Sequence, residues 1–126
     1  MTPFGERLRQ LRQERGLNQK EMAKALQVSA AYLSALEHGR RPQPTFPFVQ
    51  RVIGYFNIIW DEAEEMQRLA VLSEPRVTVD TSGLEPLATE VANLLARNVR
   101  LLDRAALLSI KAIVLDCETG GSKKAL

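Results

Sequence analysis

Gln19, Lys20, Ser29, Tyr32, Ser34, Arg40, Arg41, Gln43 and Thr45 fall within one short stretch of the chain. They are neutral hydrogen-bonding groups and cations, a set suited to holding phosphate and the edges of a polar ligand. Bond-breaking chemistry has far less to work with. His38 is the only histidine and Cys117 the only cysteine; no Cys/His cluster can gather a metal, and Cys117 has no histidine near it in sequence to activate it. There is no glycine-rich phosphate loop. Asp61, Glu62, Glu64 and Glu65 form an acidic cluster, but at a helix start such residues complement the helix dipole. The expectation is a binding protein, without metal or cofactor, and not an enzyme.

Two helices must position these side chains. In residues 19–38, QKEMAKALQVSAAYLSALEH, Met22, Ala23 and Leu26 share one face of a first helix, and Leu33 and Leu36 lie three apart on a second that begins at Ser29. Val28 sits in the connection and plugs the angle between them. Ala23 matters for its size, because helices crossing steeply over a short turn leave no room for a longer side chain. Asn18 and Ser29 are good N-caps, and Glu21, three residues after Asn18, completes a capping-box pattern. The window reads as a helix-turn-helix.

Around it, a first helix spans about Pro3 to Arg15, with Phe4, Leu8 and Leu11 inward and Gly16 as its stop. Three prolines make 40–47 an extended loop. A fourth helix carries Val49, Val52, Ile53 and Phe56, and a fifth starts at an Asp61 N-cap with Met66 and Leu69 inward. Residues 1–72 form this first domain. Residues 73–83, broken by Pro75, Asp80, Ser82 and Gly83, are a linker in which Arg76 to Val79 alternates like a short strand.

Residues 84–117 return to helix, with Leu84, Leu87, Val91, Leu94 and Leu95 apolar, then Leu101, Leu102, Leu107, Leu108, Ile110, Val114 and Leu115. A continuous helix would place Asn98 at a buried heptad position as a register-setter. The favoured alternative is a helical hairpin broken near 98–102, capped by Asp103, because the apolar face is too wide for a simple seam. Either form is too short and too apolar to stand alone. Its face pairs with a second copy, making a homodimer, or folds back on helix 5. Residues 118–126 read as a disordered tail.

The pattern resembles the phage repressor and Cro-like (Xre-type) helix-turn-helix family. The matching runs, from Phe4 to about Met66, are FGERLRQLRQERGLNQ, EMAKALQVS, YLSALEHGRRPQPTF and VQRVIGYFNI. The resemblance implies an all-α chain: a five-helix lambda-repressor-like DNA-binding domain, followed here by a C-terminal helical dimerisation segment. It implies a double-stranded DNA partner, with the second motif helix in the major groove. The residues facing base edges would then be Ser29, Ala30, Ala31, Tyr32, Ser34 and Ala35. Alanine cannot make bidentate bonds to a base, so Tyr32, the longest of the set, is the first choice for a hydrogen-bonding contact. Gln19, Lys20, Arg40, Arg41 and Thr45 would hold phosphates, with loss of either arginine weakening all DNA equally. Relatives also imply a partly buried ion pair between Arg12 and Glu37, and a glycine where this chain has Gln27, at a turn that needs positive φ. Small relatives of this type also serve as antitoxins, with the extra segment bound to a toxin partner.

Charge agrees with this division. Residues 1–60 carry nine Lys/Arg against four Asp/Glu, and residues 61–126 carry eight against eleven, which together make the net +2. A basic half joined to a mildly acidic one suggests DNA contact at one end only. No apolar run is long enough for a bilayer, Met1 to Arg15 is too charged for a signal peptide, and a lone cysteine suits a reducing cytoplasm.

Overall fold

The computed structural model describes the backbone of residues 1–124 and the side chains of residues 1–119. The described residues are helical, with no strand: α1 (Pro3–Glu14), α2 (Gln19–Leu26), α3 (Ala30–Glu37), α4 (Phe46–Tyr55), α5 (Trp60–Val71), α6 (Pro86–Asn98), a 3-10 turn (Val99–Leu101) and α7 (Arg104–Lys124). They divide into two units, Met1–Thr78 and Val79–Leu126. No helix among the described residues is long and apolar enough to cross a membrane.

Local chemistry sets the helix starts in the first unit. Thr2, Asn18, Ser29 and Thr45 each accept a backbone N–H of the first turn through the side chain, and Glu21 returns the bond to Asn18 N. Each cap satisfies a donor that would otherwise be orphaned, worth about 1 kcal/mol. Between α2 and α3 the chain turns through Gln27 at φ 61, ψ 41, left-handed as the resemblance implies. The inward stripes then close one core: Phe4, Leu8 and Leu11 from α1, Met22, Ala23 and Leu26 from α2, Leu33 and Leu36 from α3, Phe48, Val49 and Val52 from α4 with Phe56, and Met66 and Ala70 from α5. Burying each of the larger side chains contributes about 1.5–3 kcal/mol.

Three expectations need correction here. Asp61 is not the cap of α5. The helix begins at Trp60, two residues before an Asp61 cap would start it, behind Ile59, which makes no side-chain cap, and Trp60 enters it at φ 55. Ile58, packed on the core, fixes where the chain turns inward, and that packing overrides the capping preference of the aspartate. Ser73 belongs to the core unit, not to a linker: its hydroxyl accepts from Phe4 N and donates to Leu69 O, joining the start of α1 to the end of α5. Arg76 to Val79 is no strand: Arg76 lies in a bend, and Val77 to Val79 have no regular structure.

The second unit is built differently. None of its described residues is buried. The helix breaks at 99–103, where the 3-10 turn ends in an extended Leu102, and Asp103 caps α7 by accepting from Ala106 N. Asn98 is no buried register-setter; its side-chain amide donates back to Leu94 O, and Leu101 lies in the turn, 81% exposed. Leu84 precedes α6. The break falls where a hairpin requires it, yet α6 and α7 meet at the turn without packing side by side. α7 continues to Lys124, so the backbone of the expected tail is helical that far, its two glycines costing about 1 kcal/mol each against alanine. Residues 125 and 126 lie outside the described residues.

Candidate nucleic-acid interface

α3 is short, and everything about its setting fixes its inner face. Leu33 and Leu36 are buried against α2 and α1, while Ala30 and Ala31 at its N-terminal end stand exposed. At its C-terminal end Glu37 is also buried, 2% exposed. Its two oxygens meet the Arg12 guanidinium at 2.9 and 3.0 Å, and Gln19 Nε2 lies 3.4 Å from Oε1. Arg12 donates further to Leu17 O at 3.0 Å. One charged pair thereby ties the end of α3 to α1 and to the entry of α2. The ion pair expected from the resemblance is present.

Gly5 brings α1 and α3 closer still. A Cβ on it would stand 2.5 Å from Leu36 O and 3.2 Å from Glu37 O. Only a residue without a side chain lets the two backbones approach this far.

The candidate contact residues distribute as follows. Ser29 is exposed and accepts from Tyr32 N at 3.0 Å, which leaves its hydroxyl proton free to donate. Tyr32 is half-buried, its ring edge-on to Phe48 with centroids 5.7 Å apart. The Arg41 guanidinium carbon lies 5.2 Å from the centroid of the same ring. Ser34 and Ala35 are half-buried, and Ser34 O bonds the His38 ring nitrogen at 2.7 Å. Gln19 is half-buried and turned to Glu37. Lys20, Arg40, Arg41 and Thr45 are exposed. None of the three cations has an ion-pair partner among the described residues. Thr45 Oγ1 accepts from Phe48 N, leaving its proton to donate. The structure thus joins Arg41 to Tyr32 and Gln19 to the end of α3, and leaves Lys20 and Arg40 as open charges.

Other cations of the basic half are occupied by the fold. Arg51 donates to Leu26 O at 3.1 Å, satisfying a carbonyl at the end of α2, and its guanidinium sits 5.7 Å from the Phe48 ring centroid. Arg15 donates to Phe56 O, and its guanidinium carbon lies 5.1 Å from the Phe56 ring centroid. Sequence reasoning missed both, since the only signal was a basic residue on a helix. It missed Phe46 as well, which follows the Thr45 cap and is largely exposed.

A short second helix presented over a tight left-handed turn, with its N-terminal residues exposed and open cations beside it, defines a helix-turn-helix domain. Residues 3–58 match the family model described as a helix-turn-helix domain, the same motif that the geometry of this segment forms. Over 53 residues the chain is 49% identical to the HTH-type transcriptional regulator DdrOP3 of Deinococcus deserti, covering 42% of this chain and 40% of that one. Over 41 residues it is 58% identical to the HTH-type transcriptional regulator PrpR of Mycobacterium tuberculosis, covering 32% of this chain and 8% of the relative. RamB of the same species, also an HTH-type transcriptional regulator, is 49% identical over 41 residues, covering 32% of this chain and 9% of the relative. The chain thus spans two fifths of the first relative's length and under a tenth of the others'. No solved structure matches.

Proposed function

We propose that this protein is a sequence-specific transcriptional regulator of the Xre type that binds double-stranded DNA as a homodimer in the cytoplasm. α3 enters the major groove of each half-site. Ser29 and Tyr32 offer hydrogen bonds to base edges, and the methyl groups of Ala30, Ala31 and Ala35 offer apolar contact, for example to thymine. Lys20, Arg40 and Arg41 supply phosphate contacts, and the Thr45 hydroxyl and Gln19 amide add neutral ones. With so little polar readout on α3, affinity leans on the backbone and specificity partly on DNA shape. Repression is the mode the resemblance implies, since a dimer seated over a promoter excludes polymerase.

One observation supports this reading above the rest: the exposed N-terminal face of α3, flanked by unpaired cations and clamped from behind through Glu37. The homodimer is supported by the second unit. Leu87, Val91, Leu94 and Leu95 on α6 and Leu107, Leu108, Ile113 and Val114 on α7 are all exposed. Together with the half-buried Leu102 and Ile110, they can supply the roughly 800 Å² per partner of a standard interface. A two-fold dimer would demand palindromic half-sites about 34 Å apart.

The test combines light scattering on the full chain and on residues 1–78 with binding of both to DNA upstream of the gene. A full-length dimer that binds, and a monomeric fragment with much weaker affinity, supports the proposal. A full-length monomer overturns the homodimer and redirects the apolar helices to a protein partner, such as the toxin of an antitoxin pair.

A further inference from the structure

We propose that Arg41 is the positioning residue for Tyr32, so that a side chain expected to serve only as a phosphate anchor sets sequence preference. The inference rests on α3 being the helix that reads DNA.

Tyr32 is the longest polar side chain on the outer part of α3, whose other residues there are the short Ala30, Ala31, Ser34 and Ala35. Any polar reading of a base at a distance from the helix therefore depends on where its ring points. One wall of that ring is rigid. Phe48 is buried, meets the Tyr32 ring edge-on at an interplanar angle of 81°, and is backed by Phe4 at 6.4 Å and by Arg51. Arg51 is held in turn by Leu26 O. The other boundary is Arg41, which arrives from the loop after α3 and lies 5.2 Å from the ring centroid. Arg41, Tyr32, Phe48 and Arg51 thus form a connected series of two cations and two rings, anchored at one end in the core and open to solvent at the other.

Arg41 has no carboxylate partner within ion-pair distance among the described residues. Its charge remains available to a phosphate while the guanidinium stays over the ring. Lysine would keep that charge but lose the flat, weakly hydrated surface that stacks on an aromatic ring. Charge and stacking can therefore be separated by one substitution.

The experiment uses the full chain and its variants Arg41→Lys, Arg41→Ala, Tyr32→Ala and the Tyr32→Ala/Arg41→Lys double. Preferred duplexes are selected from a random pool, and affinity for them is compared with affinity for a scrambled duplex at several salt concentrations. Arg41→Lys is expected to keep the salt slope yet lower the preference ratio about two- to fivefold, the size of an exposed cation–π contact. The double variant is expected to be no less selective than Tyr32→Ala. Arg41→Ala should show the same loss together with a salt slope smaller by about one. In the free protein, NMR should place the Arg41 side-chain protons upfield under the ring, and Arg41→Lys should shift the Tyr32 ring signals while the core amides stay put. An unchanged preference ratio in Arg41→Lys, or unshifted Arg41 protons, overturns the positioning role even if the wild type reads DNA. A wild type that selects no duplex overturns the DNA reading itself, and this inference with it.

Discussion

The Arg12 guanidinium and the Glu37 carboxylate meet through two parallel hydrogen bonds, Nε to Oε2 at 2.9 Å and Nη2 to Oε1 at 3.0 Å, across 25 residues of sequence. Glu37 closes the helix proposed to read DNA, and Arg12 lies on the helix behind it. The pair is mostly out of water, so losing one member strands the other. Glu37→Ala is expected to cost about 3–5 kcal/mol of unfolding free energy, measured by urea titration. An Arg12→Leu/Glu37→Met double variant removes both charges and should recover most of that loss. A double variant as unstable as the single would show that the pair's contribution is not electrostatic.

Gly5 makes a second statement about the same two helices. Its substitution by alanine places a methyl 2.5 Å from Leu36 O, against a backbone that cannot rotate away. Gly5→Ala is expected to destabilise by about 1–3 kcal/mol, as overpacking does. This loss would come in spite of alanine's better helix propensity. Because relief requires α3 to shift, DNA affinity should fall at temperatures where the variant is still folded. Circular dichroism melting and a binding titration at one low temperature check the two parts.

What was legible in the sequence was what lies close along the chain. The caps at Asn18, Ser29 and Asp103, the capping box through Glu21, and the plug at Val28 each act within a few residues. The left-handed turn at Gln27 and the Arg12–Glu37 pair were visible only through the resemblance, which carries three-dimensional information that spacing does not. Arg41 over Tyr32, Arg51 on Leu26 O, Ser73 under Phe4 and the close approach at Gly5 join residues distant in sequence. Nothing in composition or periodicity marks such contacts. Asp61 shows the opposite failure: a sound local signal, overridden by packing at Ile58. In the second unit the apolar spacing located the break near Asn98 but held no information about whether α6 and α7 would lie against one another.

Two non-glycine residues stand at positive φ where the side chain earns little. Gln27, at φ 61, is exposed, and Trp60, at φ 55, is 83% exposed. The left-handed region costs a residue with a Cβ about 1–2 kcal/mol. Gln27→Gly and Trp60→Gly are each expected to raise stability by about 1 kcal/mol, less than the full strain because glycine also frees the unfolded chain. Neither should alter DNA affinity, since neither is among the contact residues proposed for α3 and its neighbours. Melting followed by circular dichroism suits both, as Trp60 is the only tryptophan available to fluorescence.

The second unit offers the sharpest separation of stability from function. Val91 and Leu94 lie on α6, three residues apart on one exposed apolar face, in a unit none of whose described residues is buried. A carboxylate at either position would have to be desolvated in the proposed dimer but stays in water in a monomer. Leu94→Asp should therefore leave the melting of the N-terminal core nearly unchanged while shifting the sedimentation of the full chain from dimer to monomer. Affinity for a two-half-site operator should fall steeply, because two linked heads bind with an effective concentration that a single head lacks. Affinity for one isolated half-site should hardly move. If Leu94→Asp and Val91→Asp both left the protein dimeric, α6 would lie outside the interface, and α7 would be the face to alter next, through Ile113 and Val114.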